Sequence, residues 1–156
     1  MKNNFSVFIS AVLSSSVLFY ACSKDDDNKN QGPTKTELIS RQWIQTDLIA
    51  SVGSQEQSIF DQEVSPTQQD DIYEFKADGS FILTEGATKE NASDPDTITT
   101  GVWAFLENET KVMIDPVDDD PQTLTIDELT NVKLKGHIDT VYMGIPAKLT
   151  TVLQAK

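Results

Sequence analysis

The stretch Ile72-Tyr73-Glu74-Phe75-Lys76-Ala77-Asp78-Gly79-Ser80-Phe81-Ile82-Leu83-Thr84 decides the fold. Tyr73 and Phe75 alternate with Ile72, Glu74 and Lys76, and Phe81 and Leu83 alternate with Ile82 and Thr84. A period of two sends one set of side chains to one face of a strand. Between the two runs, Ala77-Asp78-Gly79 predicts a turn, because Asp-Gly supplies the positive backbone angle of a tight reversal. The segment therefore predicts a β-hairpin with an aromatic inner face.

Working outward, a second hairpin is expected from Thr97 to Asp115, with Gly101, Trp103 and Phe105 on one face, a turn at Asn108-Glu109, and Val112 and Ile114 on the returning strand. Pro116 and Pro121 bracket an acidic loop. Beyond it Leu124 and Ile126, then Val132 and Leu134, then Leu149, Thr151 and Leu153 mark three further strands. Upstream, Arg41 to Ala50 reads as the first strand, and Thr34-Lys35-Thr36-Glu37-Leu38-Ile39-Ser40 as a short helix capped by Thr34 or Thr36 with Leu38 and Ile39 inward. The fold class expected is all-β, an antiparallel barrel of about eight strands with a short N-terminal helix. Closure suits a small sheet because it removes exposed edges.

Composition narrows the functional classes. The chain has 156 residues, enough for one ordinary domain, and 25 acidic against 12 basic residues give a net charge of −13. Nucleic acid is excluded as a partner, since phosphate neutralisation needs clustered Lys and Arg and the single arginine is Arg41. One cysteine and one histidine provide neither a four-ligand zinc site nor an internal disulfide, so no metal or cofactor is expected. Asp115-Pro116-Val117-Asp118-Asp119-Asp120-Pro121 lacks the spacing, central Gly and terminal Glu of a calcium hand and reads as a solvated turn. His137 reads as a sheet or surface residue. Adjacent strand residues point to opposite faces, which separates Asp70 from Asp71 as a catalytic pair. With no nucleophile elbow or phosphate loop, and with its acids in turns, the domain is not expected to be an enzyme and no catalytic residue is assigned.

The first 21 residues hold Lys2 and then a charge-free apolar run from Phe5 to Ala21, diluted by Ser14, Ser15 and Ser16, which reads as a secretory leader. The lone cysteine follows at its border in Leu18-Phe19-Tyr20-Ala21-Cys22. This resembles a bacterial lipobox, which implies acylation of Cys22 and attachment to a membrane. Ser23-Lys24-Asp25-Asp26-Asp27 then resembles the surface-export signal of Bacteroidota-type lipoproteins, which implies an outer-membrane anchor and display at the cell surface. Residues 22–33, with no large apolar side chain after Cys22, read as a flexible acidic tether, and residues 34–156 as the barrel domain.

Taken together, a first strand carrying Trp43, the Tyr73-x-Phe75-x-x-Asp78-Gly79-x-Phe81 hairpin and the Gly101-Val102-Trp103 strand resemble the lipocalin-like (calycin-type) lipoprotein domains of Bacteroidota. The similarity spans about residues 36–156, although Arg41 stands two residues before Trp43 where lipocalins proper have Gly. The resemblance implies a barrel whose apolar interior holds a small apolar or amphipathic ligand. Candidate pocket residues are Trp43, Tyr73, Phe75, Phe81, Trp103 and Phe105, with Tyr142 at the rim. The same aromatics serve a solid core equally well, and an eight-stranded interior is either filled or opened into one small cavity. The alternative to a ligand binder is therefore a solid-cored module that docks a partner protein at the surface through loops 86–96 and 115–121.

Overall fold

The computed structural model describes residues 32–142 and 144–156. The leader, Cys22, the Ser23-Lys24-Asp25-Asp26-Asp27 signal and nearly all of the tether lie outside the described residues. The elements in chain order are α1 (Lys35–Ile39), β1 (Gln42–Val52), β2 (Gln55–Ser58), α2 (Phe60–Glu63), β3 (Ile72–Phe75), β4 (Ser80–Thr84), β5 (Thr97–Leu106), β6 (Lys111–Pro116), β7 (Gln122–Leu129), β8 (Lys133–Tyr142) and β9 (Ile145–Ala155).

From β3 to β9 each strand pairs antiparallel with the next, and β9 returns to β1, so β1 and β3–β9 close an eight-stranded barrel. The strand β1 uses one edge twice: Gln42–Ile44 pairs with β3, and Ile49–Val52 pairs with β2. Its other edge runs along β9 from Trp43 to Ser51, with a register shift between Gln45 and Asp47. That bulge resets the alternation, as an inserted residue does. Trp43 and Gln45 face inward before it, and Leu48 and Ala50 after it. A second shift between Ile126 and Glu128 does the same to β7.

One end of the barrel is sealed. Helix α1 carries a full capping box, in which Thr34 Oγ1 accepts from the Glu37 backbone and the Thr34 backbone donates to Glu37 Oε2 at 2.7 Å. A five-residue helix has little stability of its own, so tertiary contacts hold it. Its last residue, Ile39, is fully buried, and the Ile39 carbonyl accepts from Trp43 Nε1 at 2.9 Å. Lys35 Nζ donates to the Glu109 carbonyl at 2.6 Å, and the Arg41 guanidinium lies over the Trp43 ring and donates to the Asn131 and Glu37 carbonyls. Beneath this plug sit Phe75, Phe81, Trp103, Val112, Leu134 and Leu153. Phe75 meets Phe81 at 5.3 Å and stands edge-on to Trp103 at 5.8 Å, which in turn meets Phe105 edge-on at 5.3 Å. These are the offset and edge geometries that aromatic quadrupoles favour.

The expected hairpins and barrel are present, and three details differ. Strand β2 and helix α2 were not anticipated, because Gln55–Ser58 is polar throughout and exposed throughout. Val132 does not point inward: it is 56 % exposed, since β8 begins only at Lys133 and the preceding turn is tied by Thr130 to Lys133. Leu38 is only half-buried, leaving Ile39 as the helix residue that fills the end of the barrel.

Candidate functional site: the cavity and its acidic mouth

The opposite half of the barrel is not filled. An inner cavity of about 270 Å³ lies below the aromatic core, walled by Leu48, Ile114, Leu124, Ile138 and Leu149, with Tyr73 and Phe75 at its side. Its polar groups are few: Gln45, Gln122, Thr151 and the Tyr73 hydroxyl, which donates to Gln45 Oε1 at 3.4 Å. An apolar wall with a small set of placed polar groups is the usual make-up of a small-molecule site. Toward solvent, a second concavity of about 420 Å³ opens between Phe81, Leu83, Ile98 and Pro116, with Asp118 and Asp119 on its lip. Tyr73, Ile114 and Gln122 line both and form the boundary, or neck, that the two share.

Carboxylates gather where the β2–β3 segment meets the β4–β5 loop. Asp70 Oδ2 accepts from the backbone N–H groups of Ala87 at 2.7 Å and Thr88 at 3.0 Å. Gly86 makes this docking feasible, because a Cβ there would stand 2.2 Å from the Asp70 carbonyl oxygen and 2.3 Å from Asp70 Cγ. Beside it Asp71 is only 5 % exposed, and Asp71 Oδ1, Asp70 Oδ1 and Glu85 Oε2 are buried with no hydrogen-bond partner among the described residues. Burial pushes the Asp71 carboxyl up to about 6, with help from the charges of Asp70 and Glu85 and against a backbone hydrogen bond from Gly86. The Tyr73 phenol is raised as well, by its own burial and by the Asp71 charge.

The sequence reading set Asp70 apart from Asp71 on strand alternation, and the structure removes that ground. Both residues precede β3 and are not held to strand alternation, and their charges converge with that of Glu85. The aromatic residues also divide. Tyr73, Phe75 and Phe81 line the cavities, as expected. Trp43 and Trp103, at 0 % and 6 % exposed, belong to the sealed end, and Phe105 packs against that core, so these three are not pocket walls. Tyr142 ends β8 opposite Ile145, and its side chain lies outside the described residues. The aliphatic wall from β1, β6, β7, β8 and β9 was missed; its signal was the inward row Leu124, Ile138 and Leu149, readable only once the strands were paired.

Other concavities and clusters fit a ligand less well. A groove of about 540 Å³ between the β1–β2 hairpin and α2 is lined by Gln55, Glu56, Gln57 and Gln62, side chains that water satisfies. His137 sits on the outer sheet face with Nδ1 2.9 Å from both Asp127 carboxylate oxygens, a hydrogen-bonded contact away from both concavities. Among the described residues, no group of three or more His, Cys, Asp or Glu is arranged to hold a metal ion, and no helix is long and apolar enough to cross a membrane. No protein-family profile matches the chain, and no curated protein matches it significantly.

Proposed function

We propose that this chain is a lipocalin-like lipoprotein, anchored by acyl chains on Cys22 to the outer membrane and displayed at the cell surface, whose barrel takes up a small apolar or amphipathic molecule without transforming it. The observation that carries the binding part is the apolar inner cavity, which shares Tyr73, Ile114 and Gln122 with an outer concavity. A barrel that needed only a core would close over these aliphatic walls, because interiors are packed to near-crystalline density. The anchoring part rests on the leader, the border cysteine and the Ser23-Lys24-Asp25-Asp26-Asp27 run. The absence of catalysis rests on the make-up of the inner cavity, whose walls carry amide, hydroxyl and aliphatic groups rather than convergent acid and base.

Titration calorimetry with decanol tests the cavity. The native chain is expected to bind it, and Leu149→Trp, which fills the inner cavity from β9, is expected to abolish binding while retaining a cooperative melt. Undiminished binding by the Leu149→Trp variant, or no binding by the native chain, would rule the reading out. For the anchor, the mature protein's mass should carry acyl chains on Cys22. A Cys22→Ser chain should move from the membrane to the soluble fraction, and its retention in the membrane fraction would remove the anchoring half of the proposal. The competing interaction module draws on Val117 and Val141, 73 % and 66 % exposed at the same end of the barrel. It becomes the better account if the cavity stays empty across neutral and charged amphiphiles.

A further inference from the structure

We infer that the cavity selects amphiphiles with a cationic head group over neutral and anionic molecules of the same chain length. The inference rests on the cavity reading above and adds to it the charge of the ligand.

Charge is distributed unevenly along the barrel axis. The segments at the open end hold fourteen acids: five in residues 53–71, four in 85–96, four in 115–121, and Asp139 in 139–148. Against them stand two lysines, Lys89 and Lys148. The segments at the sealed end, residues 35–41, 74–80, 106–111 and 127–135 with Lys156, hold seven acids and seven bases. Almost the whole negative excess of the described domain therefore surrounds the mouth. The two lysines do not relieve it at the neck. Lys89 is engaged by the Asp96 carboxylate and the Asp94 carbonyl, and Lys148 lies in a separate groove beside Gly53 and Asp139.

Inside, the pattern continues. Among the described residues no Lys, Arg or His lines either cavity, whereas Asp118 and Asp119 stand on the lip. Clefts lined by one sign of charge with apolar walls focus the field, raising the local concentration of the opposite ion and repelling the like one. A carboxylate head group would give up part of its hydration at the mouth and meet Asp118 and Asp119 there. An ammonium would sit beside Asp118 and Asp119, while its tail occupied the aliphatic chamber.

The test is a matched series of decylammonium, decanol and decanoate, each below its micelle-forming concentration, titrated into the native chain at about pH 7 and low salt. Decylammonium is expected to bind at least about tenfold tighter than decanoate, with decanol between, and the gap should narrow toward parity as salt shortens the screening length. The double change Asp118→Asn with Asp119→Asn, at two exposed positions, should cut the advantage of decylammonium over decanoate to about threefold, and an undiminished advantage would overturn the role given to the lip. Leu149→Trp should abolish all binding, which separates uptake into the cavity from adsorption of cations on an acidic surface. Decanol binding with decanoate equal to or tighter than decylammonium overturns the charge preference and leaves the cavity reading intact. Decylammonium bound as well by the Leu149→Trp variant as by the native chain also overturns it. If none of the three binds, the cavity reading itself falls.

Discussion

Replacing Trp43 with alanine is expected to cost about 3–5 kcal/mol, the range for deleting a buried aromatic residue, and to lower the melting temperature by roughly 10–25 °C. The size of the effect follows from where the ring sits. Trp43 is fully buried, pairs in register with Tyr73 on one side and Ala155 on the other, and thereby stands at the seam where the first and last strands close the barrel. Its indole N–H also holds the last carbonyl of α1, and its ring face receives Arg41. Truncation leaves a cavity and removes one of the two donors to the Ile39 carbonyl, the other being the Arg41 backbone N–H. Trp43→Phe should cost less, because most of the apolar volume remains while the hydrogen bond is lost. Thermal denaturation followed by circular dichroism ranks the two. A Trp43→Ala variant that melts within a few degrees of the native chain would mean that α1 and the strand seam are not held through this residue.

Much of this arrangement is written in local sequence, and the part that is not has a definite physical cause. The Ile72–Thr84 hairpin was legible because the period of two, the Asp78-Gly79 turn and the aromatic face all agree, and the structure pairs Phe75 with Phe81 and Tyr73 with Leu83. The barrel followed from strand count and short connections. What alternation could not reveal is the side-chain parity of β1 and β7. A bulge after Gln45 puts Leu48 rather than Asp47 inside, and Asp47 instead accepts from Ser58 Oγ at 2.6 Å. A bulge needs no signature residue, so the inward aliphatic row was hidden while the aromatic row was conspicuous. That bias put Trp43, Trp103 and Phe105 among the pocket candidates. Burial in the core sorts the aromatics instead: Trp43 and Trp103 belong to it and line neither concavity, whereas Tyr73 is only partly buried and lines both. Asp71 was misplaced for a related reason, since strand alternation was applied to a residue one position before the strand begins.

The second large effect is expected at Gly101, and its cause is close approach rather than backbone freedom. A Cβ on Gly101 would stand 2.2 Å from the Asp115 carbonyl oxygen, 2.8 Å from Pro116 Cα and 2.9 Å from the Asp115 carbonyl carbon. All three atoms are backbone, so no side-chain rotation relieves the clash. Gly101 also pairs with Phe81 on β4 and with Pro116 on β6, and a residue forced away from one neighbour strains the other. Gly101→Ala should therefore cost about 1–3 kcal/mol or more, as overpacking into a set framework does, and lower the urea midpoint without changing the slope of the transition. The adjacent Val102, 53 % exposed, supplies the control, because Val102→Ala should stay within about 0.5 kcal/mol of the native chain. The displaced strand carries Pro116, a wall of the outer concavity, so the same glycine change should also weaken decylammonium binding in protein that is still folded. Native-like stability in the Gly101→Ala variant would show that β5 and β6 can part at no cost, and the mouth would then lack the fixed edge that a selective site requires.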